Sequence, residues 1–244
     1  MSSDDSDEIE TMSPEVYARR RLALDPDGAI AIKRDVRSIV VGATTADLIG
    51  ALHAALRAPG AMFGHIRIVR ARDRLGLPFT VGERFQGRYS LAHALAPGAA
   101  RAPAIRRALS FVEDRLLSDY AVITRLDLDP RSGAEVSGFS YDYLEGTPIA
   151  GRLTMECRAE GPRVCRVTQT TEYQERDLGA LLAFGTRVLR MHNQVFHDEI
   201  AAAAARLGAA ILYTDIPGVR TAPPPTKAVS ERADAQASAP VILG

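Results

Sequence analysis

Hydrophobic positions recur at three- and four-residue spacing from Asp177 to about Leu207, which predicts one long helix. Leu178, Leu181, Leu182, Gly185, Val188, Leu189, His192, Val195, Phe196 and Glu199 share one face, while Arg187, Arg190, Asn193, Gln194, His197 and Asp198 fall mostly on the other. Asp177 stands where an N-cap belongs and Gly208 where a C-terminal stop belongs. Roughly thirty residues would span about 45 Å, so this helix needs a broad surface to lie on. Its apolar stripe is interrupted by Gly185, His192 and Glu199.

Ahead of the helix the period changes to two, the mark of strands with one buried face. Phe139, Tyr141 and Tyr143 alternate with Gly138, Ser140 and Asp142. Leu153, Met155, Cys157 and Ala159 alternate with Arg152, Thr154, Glu156 and Arg158, and Cys165, Val167, Thr171 and Tyr173 follow after a short turn. Tyr120, Val122, Leu126 and Leu128 are read as the inner face of a further strand, against Asp119, Arg125 and Asp127. Short links between clean alternations predict an antiparallel meander. Upstream, Ile30, Ile32, Val36 and Val40 alternate with Lys33, Asp35 and Arg37, and Arg34 falls on the apolar side. Thr44-Thr45-Ala46-Asp47 resembles a capping box opening a helix with Leu48, Ile49, Leu52 and Leu56 as its stripe. Shorter strands are expected at Ile66–Ala71 and Gly82–Leu91, a loop over 92–103 and a helix over 104–117.

The expected class is α+β: an antiparallel sheet covered by the long C-terminal helix, the only element able to cover it. Three segments follow. Residues 1–28 form an acidic tail, disordered to residue 13, with a short arm beyond; 29–212 form the domain; 213–244 form a Pro/Ala-rich disordered tail.

Composition narrows the function. Acidic and basic residues balance at 30 each, so no overall field draws nucleic acid or an anionic membrane. No apolar run reaches the length of a membrane span, and the acidic N-terminus lacks the basic start of a signal peptide, so a cytoplasmic protein is expected. All but two of the basic residues are arginine, read first as a coding bias. The two cysteines, Cys157 and Cys165, are expected to be reduced, buried and opposite each other.

Candidate chemistry lies under the long helix. Tyr89, Tyr141, Tyr143 and Tyr173 fall on inner faces and offer the few hydroxyls an apolar pocket needs. His192 is either a core histidine bonded to a neighbour or a group that orients or protonates a ligand. Gly185 either widens a gap or lets a strand residue approach. His192 and His197 are five apart and diverge by about 140° on a helix, so no metal is assigned. Glu199, about 10 Å from His192 along the axis, lies either at a cavity mouth or in solvent. Arg34 and Gln169 also fall inward, as strand-end or pocket residues. A pocket of about 300 Å³ left dry would cost about 7 kcal/mol, so it would hold ligand or water, or the core is packed shut.

The element order resembles the helix-grip fold of the START-type, or SRPBCC, proteins, over about Ala29 to Leu207. The features that carry the likeness are the Val81-Gly82-Glu83-Arg84-Phe85 entry into a strand, the Phe139–Gly151 strand and turn, and the helix after Tyr173. The stretch from about Leu91 to Leu117 is longer than the connection usual there. The superfamily includes polyketide cyclase/dehydrase-like and lipid-transfer members. The resemblance implies a hydrophobic small molecule, lipid-like or aromatic, held between sheet and helix by Tyr89, Tyr141, Tyr143, Tyr173, Gly185 and His192. It implies no cofactor. Two alternatives remain open: a cyclase/dehydrase-type enzyme using His192 and a tyrosine, and a non-catalytic interaction module acting through its tails.

Overall fold

Over residues 118–175 the sheet is a meander, because short links return each strand beside its predecessor. The computed structural model describes residues 11–57, 62–63, 66–89, 118–127, 136–147, 149–175 and 178–218. The tail expected at 1–10, the loop and helix expected over 92–117, and the stretch after residue 218 lie outside these residues.

Among the described residues the nine strands are β1 Lys33–Val41, β2 Met62–Phe63, β3 Ile66–Val69, β4 Arg84–Tyr89, β5 Ser118–Asp127, β6 Val136–Tyr143, β7 Ile149–Gly161, β8 Val164–Glu175 and β9 Ile211–Thr214. Their order is β2-β3-β4-β5-β6-β7-β8-β1-β9, with every pairing antiparallel. Helices α1, Thr45–Arg57, and α2, Leu178–Arg206, lie against one face of this sheet. A nine-stranded antiparallel sheet covered by a 29-residue helix is the helix-grip arrangement.

The helix ends follow local chemistry. Thr44 Oγ1 accepts from Asp47 N at 3.1 Å and donates to Asp47 Oδ2 at 2.7 Å, which caps α1. At the far end Gly208 adopts φ 61°, and Ala209 N donates to Ala204 O at 2.9 Å. A left-handed residue of this kind satisfies carbonyls that the last turn leaves unpaired.

Inner faces of β6, β7 and β8 carry Phe139, Leu153, Met155, Cys157, Cys165 and Val167, packed with Phe196, Ile200 and Ala203 of α2. The cysteines are both free and buried, but diagonal rather than opposite: Cys157 faces Val167, and Cys165 faces Ala159.

Two strands present the face opposite to that expected. In β5, Asp119, Ala121 and Ile123 point inward, while Tyr120 and Val122 join a separate cluster with Met12, Val16, Val69, Ala71 and Leu144. An irregularity between Ile123 and Arg125 then shifts the phase, so Leu126 returns to the inner face. In β1, Ile39 and Val41 are fully buried, whereas Val36 is 40% exposed and Ile32 43%. The same inner face therefore carries Asp35 and Arg37, which pair at 2.6 Å, and Asn193 Nδ2 of α2 donates to Asp35 Oδ2 at 3.2 Å. Asn193, expected on the wet side of its helix, is buried.

Residues on either side of the expected domain also contact the sheet. Met12 N donates to Arg70 O and Leu22 N to Tyr143 O, at 2.9 and 2.8 Å, so the arm covers the outer face of β3, β5 and β6. Arg84 Nη1 holds the 3-10 turn at Pro14–Ala18 by donating to the carbonyls of Val16 and Arg19 at 2.8 and 2.7 Å. Glu83 is buried against Arg70 at 2.6 Å, which ties the loop before β4 to β3. After β9, Ser38 N donates to Asp215 Oδ1 at 2.7 Å and Ile216 is buried.

Candidate functional site

A cavity of about 70 Å³ separates the inner face of the sheet from α2. It is several times smaller than the pocket of about 300 Å³ expected for a drug-sized ligand. Each wall has a simple origin. His192, Val195 and Glu199 line it from α2, at the i, i+3, i+7 spacing that keeps side chains on one face. Phe85 and Gly87 reach it from β4, Asp119, Ala121 and Ile123 from β5, and Phe139 and Tyr141 from β6, each set separated by two residues along its strand. Gln169 closes it from β8.

Aromatic rings run through this wall edge to face. Phe79 meets Phe85 with centroids 5.9 Å apart, Phe85 meets Tyr141 at 5.3 Å, Tyr141 meets Tyr143 at 5.5 Å, and Tyr143 meets His192 at 6.1 Å. Edge-on contacts of this kind hold rings in fixed orientation beyond what burial alone does.

His192 Nε2 lies 3.1 Å from Tyr143 Oη and 3.2 Å from Asp119 Oδ2. All three residues are buried. An ionised carboxylate only accepts, so pairing with Asp119 makes Nε2–H the donor. Tyr143 Oη can then share that hydrogen while its own O–H turns to Tyr141, with which it also bonds. Burial raises the Tyr141 phenol well above its ordinary range, and the nearby charges of Asp119 and Glu199 raise it further. Tyr141 therefore faces the cavity as a neutral hydroxyl.

Glu199 is the other polar group on the helix wall. Burial, with a smaller contribution from Asp198, pushes its carboxyl up to about 8. Its partial exposure reflects the cavity it lines. No hydrogen bond or ion pair engages it among the described residues. Gln169 Nε2, also buried, has no hydrogen-bond partner either, and the same is true of Thr171 Oγ1 beside it. The lining contains Asp119 and Glu199 but neither lysine nor arginine among the described residues.

The residues singled out in the sequence divide three ways. Tyr141 and His192 line the cavity, and Tyr143 lies behind them, bonded to His192. Tyr89 sits in β4 opposite Ile66, on the same face as Phe85 and Gly87, and Gly185 sits within α2; their surroundings lie outside the described residues. Tyr173 is half-buried opposite Lys33 and Gly151, near Glu175 and Asp35, and is not part of the lining. Arg34 is on the outer face, 3.8 Å from Glu172. Asp119 escaped the sequence reading, because Tyr120 and Val122 looked like the core side of β5. Glu199 carried a signal, since it interrupts the apolar stripe.

No protein-family model matches the chain, and no curated protein does. Solved structures do resemble it. Norcoclaurine synthase of Thalictrum flavum, a point mutant in complex with a transition-state analogue, has a TM-score of 0.44 at 13% identity, over 75% of this chain and 99% of that one. Zhui aromatase/cyclase from Streptomyces sp. R1128 has 0.45 at 15% identity, over 72% and 96%. Ara h 8.0201 has 0.41 at 9% identity, over 72% and 99%. The helix-grip assignment stands on this chain's own topology.

Proposed function

We propose that the chain binds a small, mainly apolar molecule with one hydrogen-bonding end, held between the sheet and α2. The observation that carries this reading is a cavity whose walls are aromatic and aliphatic except for the polar groups of Asp119, Tyr141, Gln169, His192 and Glu199. That division is typical of a ligand site. In this reading Tyr141, His192 and Glu199 offer the polar contacts, Tyr143 fixes the His192 ring, and Tyr89 and Gly185 bound the cavity beyond the described lining. Tyr173 takes no part.

The test is native mass spectrometry with a thermal-shift screen of short alkanols and small aromatics. A ligand present at a hundred times its Kd adds about 2.7 kcal/mol to stability, a shift of several degrees. Absence of any shift or bound mass across the screen would remove the reading.

A second reading is supported by the Asp119–His192–Tyr143 geometry: acid–base catalysis in the same cavity, with His192 and a tyrosine exchanging a proton with the bound molecule. It predicts that His192→Ala abolishes turnover of any substrate found while Tyr143→Phe shifts its pH profile. Unchanged turnover in His192→Ala would exclude it.

A further inference from the structure

The cavity's charge inventory says more about its ligand than its size does. Among the described residues the one basic group in the lining is His192, and it is already engaged by Asp119. Glu199 is left as a carboxyl facing the hollow with no counter-charge and no hydrogen bond made to it among the described residues. A carboxyl that faces an apolar hollow without a protein partner takes its solvation from whatever occupies the space. The rings of Phe85, Phe139 and Tyr141 line the same space, and their faces attract a cation. A carboxylate ligand, by contrast, would bring a third acidic group against Asp119 and Glu199.

Resting on the ligand-binding reading above, we propose that the polar end of the ligand is a protonated amine, and that Glu199 is the group that takes it. The order of preference within one carbon skeleton is then amine, alcohol, carboxylate. The site selects against fatty acids, although its walls are apolar enough for an acyl chain.

Geometry sets the probe. A cavity of about 70 Å³ is roughly half the size of one that takes benzene, so four-carbon probes fit the scale. The experiment is NMR titration of the full chain with n-butylamine, n-butanol and butyrate at pH 8.5, above the half-titration point of Glu199 and below that of the amine. The charged group acting on this carboxyl is Asp198 on α2, while Tyr141 from β6 lies within reach of both Glu199 and Asp119, and His192 pairs with Asp119.

The expected result is butylamine binding at least ten-fold tighter than butanol, and butyrate more weakly than either. Glu199→Gln keeps the shape and removes the charge; it should erase the amine preference, so that butylamine binds no tighter than butanol. Glu199→Asp keeps the charge and should retain part of the preference. Butanol binding with no amine advantage, or a preference that survives Glu199→Gln, overturns the amine assignment and leaves the cavity reading standing. If no probe binds the unaltered chain, the cavity reading fails and the amine assignment with it.

Discussion

At the scale of single residues, the polar corner of the cavity holds two carboxyls in opposite situations. Asp119 is paired with His192 and Glu199 is not. Removing His192 should therefore do more than remove a ring: it takes a buried polar contact away from Asp119. We expect His192→Ala to cost about 3 kcal/mol or more, and Tyr143→Phe only about 1 kcal/mol, since Nε2 keeps its acidic partner. Urea denaturation at pH 7 measures both, and the order is the point at issue. Glu199 gives a pH signature. Its folded-state value of about 8 stands above the 4.5 of an ordinary glutamate, so the native chain holds a proton that the unfolded chain releases. Stability is then lost as pH rises from about 4.5 to about 8, the reverse of a salt-bridged carboxylate. Glu199→Gln removes that dependence. Its melting temperature should match the unaltered chain near pH 5, exceed it increasingly up to pH 8, and keep a constant lead above. Parallel melting curves across that window would show the carboxyl to be solvated.

At the scale of elements, what was legible depended on whether alternation ran unbroken. β6, β7 and β8 alternate cleanly along their inner-face residues, so Phe139, Tyr141, Leu153 and Val167 were assigned inward from the sequence and lie there. β5 misled because both of its faces are covered, one by α2 and the other by the arm that brings Met12 and Val16. With apolar residues on both sides, parity alone does not say which is the core, and the irregularity at Ile123/Arg125 hides the change of phase. β1 misled for the opposite reason. Asp35 and Arg37 are tolerated inside because they pair with each other, while Val36 is left facing out. So His192 and Tyr141 were within reach of the pattern, and Asp119 was not. Capping chemistry was legible at the start of α1 and at the end of α2, because it depends on residues a few positions apart, while the expected N-cap Asp177 lies outside the described residues. The stop at Gly208 gives a clean test, as a Cβ there would meet no atom within 4 Å and only the backbone at φ 61° objects. Gly208→Val should destabilise by about 1–2 kcal/mol and Gly208→Asn by less, in thermal or urea unfolding. Equal losses would mean that contacts, not backbone conformation, set the residue there.

At the scale of the whole molecule, the cavity follows from laying a long helix across a broad sheet. Strands twist relative to one another, and a straight rod does not follow that twist along its length. Beyond His192 the contact is tight, with Phe196, Ile200 and Ala203 fully buried. Alongside it, small residues on the sheet, Gly87 and Ala121, leave the rings of Phe85, Phe139 and Tyr141 around a space instead of against each other. A void of about 70 Å³ costs about 2 kcal/mol if empty, which a domain with about 5–15 kcal/mol of stability can carry. The larger pocket considered from the sequence would have cost about 7 kcal/mol by the same rule. The fold can therefore keep this hollow without a permanent occupant, and exchange what fills it. Filling the void with protein separates the two roles of its walls. Ala121→Val adds two methyl groups inside the lining while leaving Asp119, His192 and Glu199 in place. If the space serves a ligand, this variant should melt at the same temperature or a few degrees higher, yet bind butanol and butylamine at least ten-fold more weakly. A variant that melts lower and binds as before would mean that the methyls were forced into packed core, and that ligands, where they bind, use another surface.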